Sequence, residues 1–357
     1  MSTMLHRAPL GSGPYAEVAD AIASYPDVFR DAVHTRFYQD QLEARALFTV
    51  RMEEAHLDLA PQVSAVLERA HDCQLHDDDV EILEALGRQH RRHGFPSAVY
   101  SVFANALKDG LRAVLWEAGI PYSVAAADSE VVLTRICETM AQAALEADYL
   151  GIPPAAAGEV ISVNRVSRRI SVVTVDLGLP MLYRPGQHVL ATATYTPGQW
   201  VRLAPAVPPS DFGQVEFHVH REPDSAYENL ASAQVGDHWT FGQPVGASIS
   251  DGPVTVIARG AGYGAARSVI FSRLAHPNPQ RMDVYLQADY PGELYELAQL
   301  RTLAAASQWL NITAATVHPR DEWWVKPADP VTGATPLDGR DIADLIRPDS
   351  PAYRVEF

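Results

Sequence analysis

The chain has 357 residues, 47% of them apolar, and a formal charge of -16. That length accommodates two or three ordinary cores, while the acidic balance disfavours nucleic acid and anionic lipid as partners, apart from local basic patches such as Arg88 to Arg92. Cys73 and Cys137 are the only cysteines and form no C-x-x-C pair, which excludes a disulfide scaffold and a cysteine metal site. No apolar run approaches the roughly 18 residues of a membrane span, and the start of the chain lacks a charged segment followed by an apolar one, so no membrane partner and a cytoplasmic location are expected.

From Tyr15 to Leu150 apolar residues recur at helical spacing, as in the stripe Val99, Phe103, Leu107, Leu111. The Pro-, Ala- and Gly-rich stretch Gly151 to Gly158 breaks this pattern. Beyond it, Val160 to Val163, Ile170 to Val175, His188 to Ala193 and Val215 to Val219 read as strands of an antiparallel barrel or sandwich. After Asp251-Gly252 the order becomes strand (Val254 to Ala258), helix (Ala265 to Leu274), strand (Met282 to Gln287), helix (Leu294 to Ala306) and strand (Leu310 to Thr316), the alternation of a parallel sheet. Asp321 to Phe357 reads as loop with one short helix around Asp341 to Ile346. The expected organisation is therefore multi-domain: an all-α domain over 1–150, a linker over 151–158, a β-barrel over 159–248 and an incomplete α/β domain of nucleotide-binding type over 249–357.

Asp77-Asp78-Asp79 offers a cap and negative charge for a helix start, and that helix carries Leu83, Leu86 and His90 on one face. A histidine on an apolar face is, on this pattern alone, more often a carbonyl-bonded core residue than a metal ligand. His93, three residues on, faces a different sector and is the competing ligand.

Leu86-Gly87-Arg88-Gln89-His90, then Gly94-Phe95, then Tyr100 ten residues after His90, resemble the proximal stretch of the flavohaemoglobins, in which a globin is joined to a flavin/nicotinamide reductase module. The resemblance implies a globin over the helical part, haem b as cofactor and His90 as the iron ligand. A neutral imidazole on ferrous iron leaves the opposite face open to a diatomic gas, and its second nitrogen needs a partner. Tyr100 and a carboxylate of the last helix, Glu146, would complete the proximal set. The same offset puts Phe48 against the haem face and His34 at the distal position, where the family has a tyrosine. A register slip would bring Tyr38 inward instead. For the family's distal glutamine the candidates are His56, Asp58 and Gln62.

In the second half, Tyr183-Arg184-Pro185-Gly186-Gln187 resembles the R-P-G-Q turn of the family's flavin barrel. The family's R-x-Y-S stretch, which holds flavin, corresponds to Gln199 to Ala206, where a slip of one recovers Arg202 but neither the ring nor the hydroxyl. Ser225 is the candidate for the diphosphate-binding serine, and Tyr227 for a replacement ring. Gly260-Ala261-Gly262-Tyr263-Gly264, between a strand and a helix, has the setting of a pyrophosphate turn, and equally that of a tight connection without a ligand. Leu294 to Leu297 and Trp309-Leu310 resemble later parts of the module, and the family's terminal C-G-P stretch is not found before Phe357. FAD and NAD(P)H are thus implied by the resemblance and opposed by these losses.

Complete members of the family convert nitric oxide to nitrate with O2, electrons passing from NAD(P)H through FAD to haem. The expectation for this chain is a haem oxidoreductase of nitric oxide dioxygenase type acting on O2 and NO, with an impaired flavin-dependent electron supply and an external reductase as a candidate partner. The alternative is a haem-based sensor or binder of a diatomic gas, its reductase remnant serving protein interaction.

Overall fold

The computed structural model describes residues 13–44, 58–94, 96–196, 199–223, 225–246, 249, 251–260, 262–325 and 332–356. The chain divides into two compact units, 1–155 and 156–357.

The first unit is helical: α1 (Ala16–Ser24), α2 (Pro26–Asp40), α3 (Leu59–Arg69), α4 (Asp77–His90), α5 (Val99–Glu117) and α6 (Val124–Tyr149). Pro26 stands at the first position of α2, where its missing N–H costs nothing, and so separates α2 from α1. Ser123 caps α6 by accepting from the Ala126 amide at 3.3 Å. At α4 the capping atom is Nδ1 of His76, which accepts from the Asp78 amide, so Asp77, Asp78 and Asp79 fill the first turn rather than cap it. Asp79 is buried and pairs with Arg69, joining the end of α3 to the start of α4. The α5 stripe packs inward, with Leu107 and Leu111 fully buried and Val99 and Phe103 against the core. No helix among the described residues is long and apolar enough to cross a membrane.

The second unit opens with a six-stranded antiparallel sheet formed by β1 (Ala156–Arg165), β2 (Ile170–Asp176), β3 (Val189–Ala193), β4 (Val201–Leu203), β5 (Gln214–His220) and β6 (His238–Phe241). Its order is β4-β3-β6-β1-β2-β5. A bridge between Pro205 and Phe217 and the 2.7 Å bond from the Ala206 amide to the Glu216 carbonyl bring the outer strands together. The result is a nearly closed barrel around Trp239, Phe217 and Phe241. β1 begins at Ala156, inside the expected linker, because Ala156 to Gly158 pair with β6. The short helix α7 (Ala226–Ala231) lies between β5 and β6.

A five-stranded parallel sheet follows, with β7 (Val254–Arg259), β8 (Met282–Ala288), β9 (Leu310–Thr316), β10 (Thr335–Pro336) and β11 (Arg354–Glu356) in the order β10-β9-β8-β7-β11. β7 and β8 are buried almost throughout, as strands covered on both faces must be. Helices α8 (Gly262–Leu274) and α9 (Leu297–Ala305) connect them. The tail, read from sequence as loop with one helix, contributes β10, the 3-10 turn Ile342–Leu345 and β11. Helix α9 starts at Leu297, later than expected, because Pro291–Glu293 form a separate 3-10 turn.

Candidate functional site

His90 ends α4 and is half-buried. Its ring lies parallel to that of Tyr100 at the start of α5, with an interplanar angle of 5° and centroids 6.4 Å apart. His93, in the 3-10 turn that follows α4, stands at the same centroid distance from His90, steeply inclined to it. Tyr100 is 6% exposed, and its hydroxyl has no hydrogen-bond partner among the described residues. Burial raises the Tyr100 hydroxyl far above its ordinary pKa, Cys137 of α6 adding to this and Arg92 opposing it. The Cys137 thiol is itself pushed up to about 12 by burial, and the Arg92 guanidinium is drawn down to about 10 for the same reason.

Two contacts fix the helix that carries His90. Gly87, one turn earlier, lies so close to α6 that a Cβ there would stand 2.2 Å from the Met140 carbonyl oxygen. Arg91, the next residue after His90, is buried, and donates to Asp148 at 2.8 Å and to the Ile152 carbonyl at 2.5 Å. The chain leaving α6 is thereby fastened beside the imidazole.

On α2, His34 is 6% exposed, and burial, aided by Arg30 and opposed by Asp31, holds its pKa below the usual histidine value. Tyr38, one turn on, is also buried, its ring 5.4 Å from His34. Both side chains face inward together, where the sequence reading treated them as alternatives. Phe37 stacks edge-on against Phe103 of α5, 5.3 Å away, so α5 links this aromatic group to Tyr100 one turn earlier. Glu146 is exposed on α6 and makes no bond to Tyr100. Asp58 and Gln62 are exposed. Phe48 and His56 lie outside the described residues.

This donor set could hold a haem iron. It offers an imidazole on a restrained helix, a buried hydroxyl beside that ring with its hydrogen bond unmade, and a second imidazole kept neutral by burial within an aromatic group. A buried hydroxyl without a partner costs about 1 to 3 kcal/mol, and such a group in a native protein calls for an explanation.

The candidate flavin residues sit at the barrel. Arg202 is exposed on β4, and its carbonyl accepts from the Tyr227 hydroxyl at 3.1 Å. Tyr227 thus covers the end of β4. Ser225 precedes α7 and donates to the Glu222 carbonyl, while the Arg184 amide donates to Gln187 inside its own turn. Ala204 and Pro205 follow β4, with no aromatic ring and no hydroxyl at either position.

The glycine turn opens α8 as expected, Gly260 adopting a φ of +53°. Gly264 is buried, and a Cβ on it would meet Ala206 at 3.4 Å. One turn along, Arg267 donates to the Ala206 carbonyl at 2.9 Å and pairs with Glu216 and Glu296, each at 2.8 Å. His218 of β5 is bonded to Glu216 at 3.2 Å and to the Tyr295 hydroxyl, with Tyr263 stacked on its ring at 5.8 Å. The bond from His218, together with Arg267, lowers the Glu216 pKa. None of Glu216, His218, Arg267, Tyr295 and Glu296 was singled out as a site residue from the sequence.

Among solved structures, the chain is similar along almost its whole length to a flavohemoglobin from Malassezia yamatoensis determined with bound FAD and heme. The TM-score is 0.67, identity is 13%, and the match covers 98% of this chain and 92% of that one. The chain has the flavohaemoglobin fold. Partial similarity extends to the FAD/NAD-binding domain of a nitric oxide dioxygenase from Vibrio cholerae, with 16% identity over 55% of this chain and 84% of that one and a TM-score of 0.41. A ferredoxin NADP+ reductase from Neisseria gonorrhoeae matches at 14% identity over 57% of this chain and 84% of that one, TM-score 0.43. No protein-family model matches the sequence, and no curated protein matches it.

Proposed function

We propose that this protein is a haem-binding oxidoreductase of flavohaemoglobin type acting on O2 and nitric oxide, with an impaired flavin-dependent electron supply. The observation that carries the reading is the His90 imidazole lying parallel to Tyr100, whose buried hydroxyl has no partner among the described residues. Haem b, when bound, would supply an iron able to bind a diatomic gas. His90 is the residue assigned to hold that iron. The contacts of Gly87 and Arg91 restrain the imidazole's position, and the strongly raised pKa of Tyr100 keeps its hydroxyl protonated as a hydrogen-bond donor.

His34 is the candidate on the gas side. Its depressed pKa leaves a neutral ring at pH 7, with one N–H to donate and one lone pair to accept. Converting NO and O2 to nitrate takes up one electron for each nitrate formed, so turnover requires a reductant. The missing ring and hydroxyl after β4 support an external source for it.

Absorption spectra test the haem assignment. The haem-reconstituted full chain is expected to show a Soret band that His90→Ala loses or shifts, and an unchanged spectrum in that variant removes the assignment. Prereduced protein under O2 is then mixed with NO, and nitrate is expected. Its absence would overturn the NO chemistry and favour a second reading, reversible gas binding with a non-catalytic second unit. The ties from Arg267 of α8 to the Ala206 carbonyl and to Glu216 speak for that reading.

A further inference from the structure

The family resemblance assigns the end of β4 and the start of α8 to flavin and nicotinamide, and Arg267 of α8 ties the two by donating to the Ala206 carbonyl at 2.9 Å. Around this tie side chains from four segments bond or stack on one another: Glu216 and His218 from β5, Tyr263 and Arg267 from α8, Tyr295 from the loop after β8, and Glu296 at the start of α9. Arg267, only 13% exposed in its side chain, is held by two carboxylates and a carbonyl, and its guanidinium lies 4.6 Å from the centre of the Phe271 ring. One residue on, the Ser268 hydroxyl donates to the Val207 carbonyl at 2.8 Å. A second tie therefore runs from α8 to the same barrel segment.

Among the described residues, the cavity at these side chains is small. The cavity bounded by Ile170, His218, Tyr263, Glu293 and Tyr295 has a volume of about 20 Å³, space for about one water molecule. A methyl group added at Gly264, in the first turn of α8, would already be in van der Waals contact with Ala206 at 3.4 Å. Charge acts in the same direction, since Glu216 and Glu296 are the groups a nucleotide phosphate would meet once Arg267 is engaged.

We propose that this cleft is a fixed polar lock which admits neither a flavin ring nor a nicotinamide, so that the second unit serves as a structural module and not as a reductase. The lock does not depend on His90 holding iron. Flavin is read by its own fluorescence and haem by its Soret band, so failure of one reading is distinguishable from failure of the other.

The test uses the full chain. FAD and NADH are titrated to millimolar concentration while flavin fluorescence anisotropy and the melting temperature are followed. Both are expected to stay flat, and saturable binding or flavin co-purifying in equal amount with the chain overturns the proposal. Arg267→Met, which strands two carboxylates against each other, is expected to shift the unfolding equilibrium of the second unit by roughly a hundredfold, as for other broken buried pairs. Adding Glu216→Gln should recover part of that loss. If the methionine variant does not fold, Arg267→Lys gives the same reading, because an ammonium cannot reach all three acceptors and a smaller loss is expected. A melting temperature equal to wild type in whichever variant is measured would show that the network holds nothing together, and the proposal fails.

Discussion

Gly87→Ala probes the arrangement that places His90. An added Cβ would stand 2.2 Å from the Met140 carbonyl oxygen and 2.8 Å from its Cα, inside the 3.0 Å limit that Cβ contacts respect. The obstacle is backbone of α6, which cannot rotate aside as a side chain would, so α4 and α6 must part. Overpacking of this kind costs about 1 to 3 kcal/mol, and an obstacle made of backbone belongs at the upper end. Alanine's better helix propensity offsets about 1 kcal/mol. The net loss of about 2 kcal/mol corresponds, for a unit of this size, to a fall in melting temperature of about 4 to 8 °C. Far-UV circular dichroism of the full chain during heating measures it, and in the haem-reconstituted protein the Soret band should weaken, because His90 lies one turn along the same helix. A melting temperature within a degree of wild type would refute the close crossing of α4 and α6, and with it the position assigned to His90 beside Tyr100.

The Arg91 clamp predicts an asymmetry between its two partners. Asp148→Ala strands a guanidinium that is 5% exposed and should cost about 3 kcal/mol; Arg91→Ala leaves a carboxylate that is 56% exposed and already hydrated, and should cost less by urea denaturation. His188, whose pKa burial and Arg202 bring down to about 4, stays neutral in the folded protein while the unfolded chain binds a proton below about pH 6.5. Its contribution is thus intact above pH 6.5 and lost progressively as the pH falls toward 4, a loss of about 1 to 2 kcal/mol between pH 7 and pH 5 that His188→Gln should abolish in urea titrations at the two pH values. With its pKa at about 12, Cys137 should resist thiol reagents at pH 8 in the native state, leaving Cys73 as the reacting thiol; native labelling that persists in Cys73→Ser would contradict this.

Elements with a repeating pattern of their own were legible in the sequence. The α5 stripe and the apolar runs of β7, β8 and β9 declare their periodicity without any partner. β4, β6, β10 and β11 have two to four residues each, too few to establish an alternation, and they are strands only because neighbouring strands receive them. Pro336 even argues against β10 when read alone. At the candidate haem site, the spacing from His90 to Tyr100 was readable because both residues flank one short connection. Tyr38 carried a signal as well, since it stands four residues from His34 on one helix and must share its face. The lock around Arg267 had none. Its members come from segments about 30 to 80 residues apart, and each alone is an ordinary polar residue of a strand, helix or loop.

The parallel sheet ends on its two shortest strands, two-residue β10 on one side and three-residue β11 on the other. A long bare edge is a template on which a foreign chain can add its own backbone bonds. Strands of this length offer such a chain only a few amides and carbonyls of their own, and since β10 pairs only with Ala315 and Thr316 of β9, the protection it gives that side is confined to the C-terminal end of β9, while β7 and β8 remain among the most strongly apolar segments of the sequence.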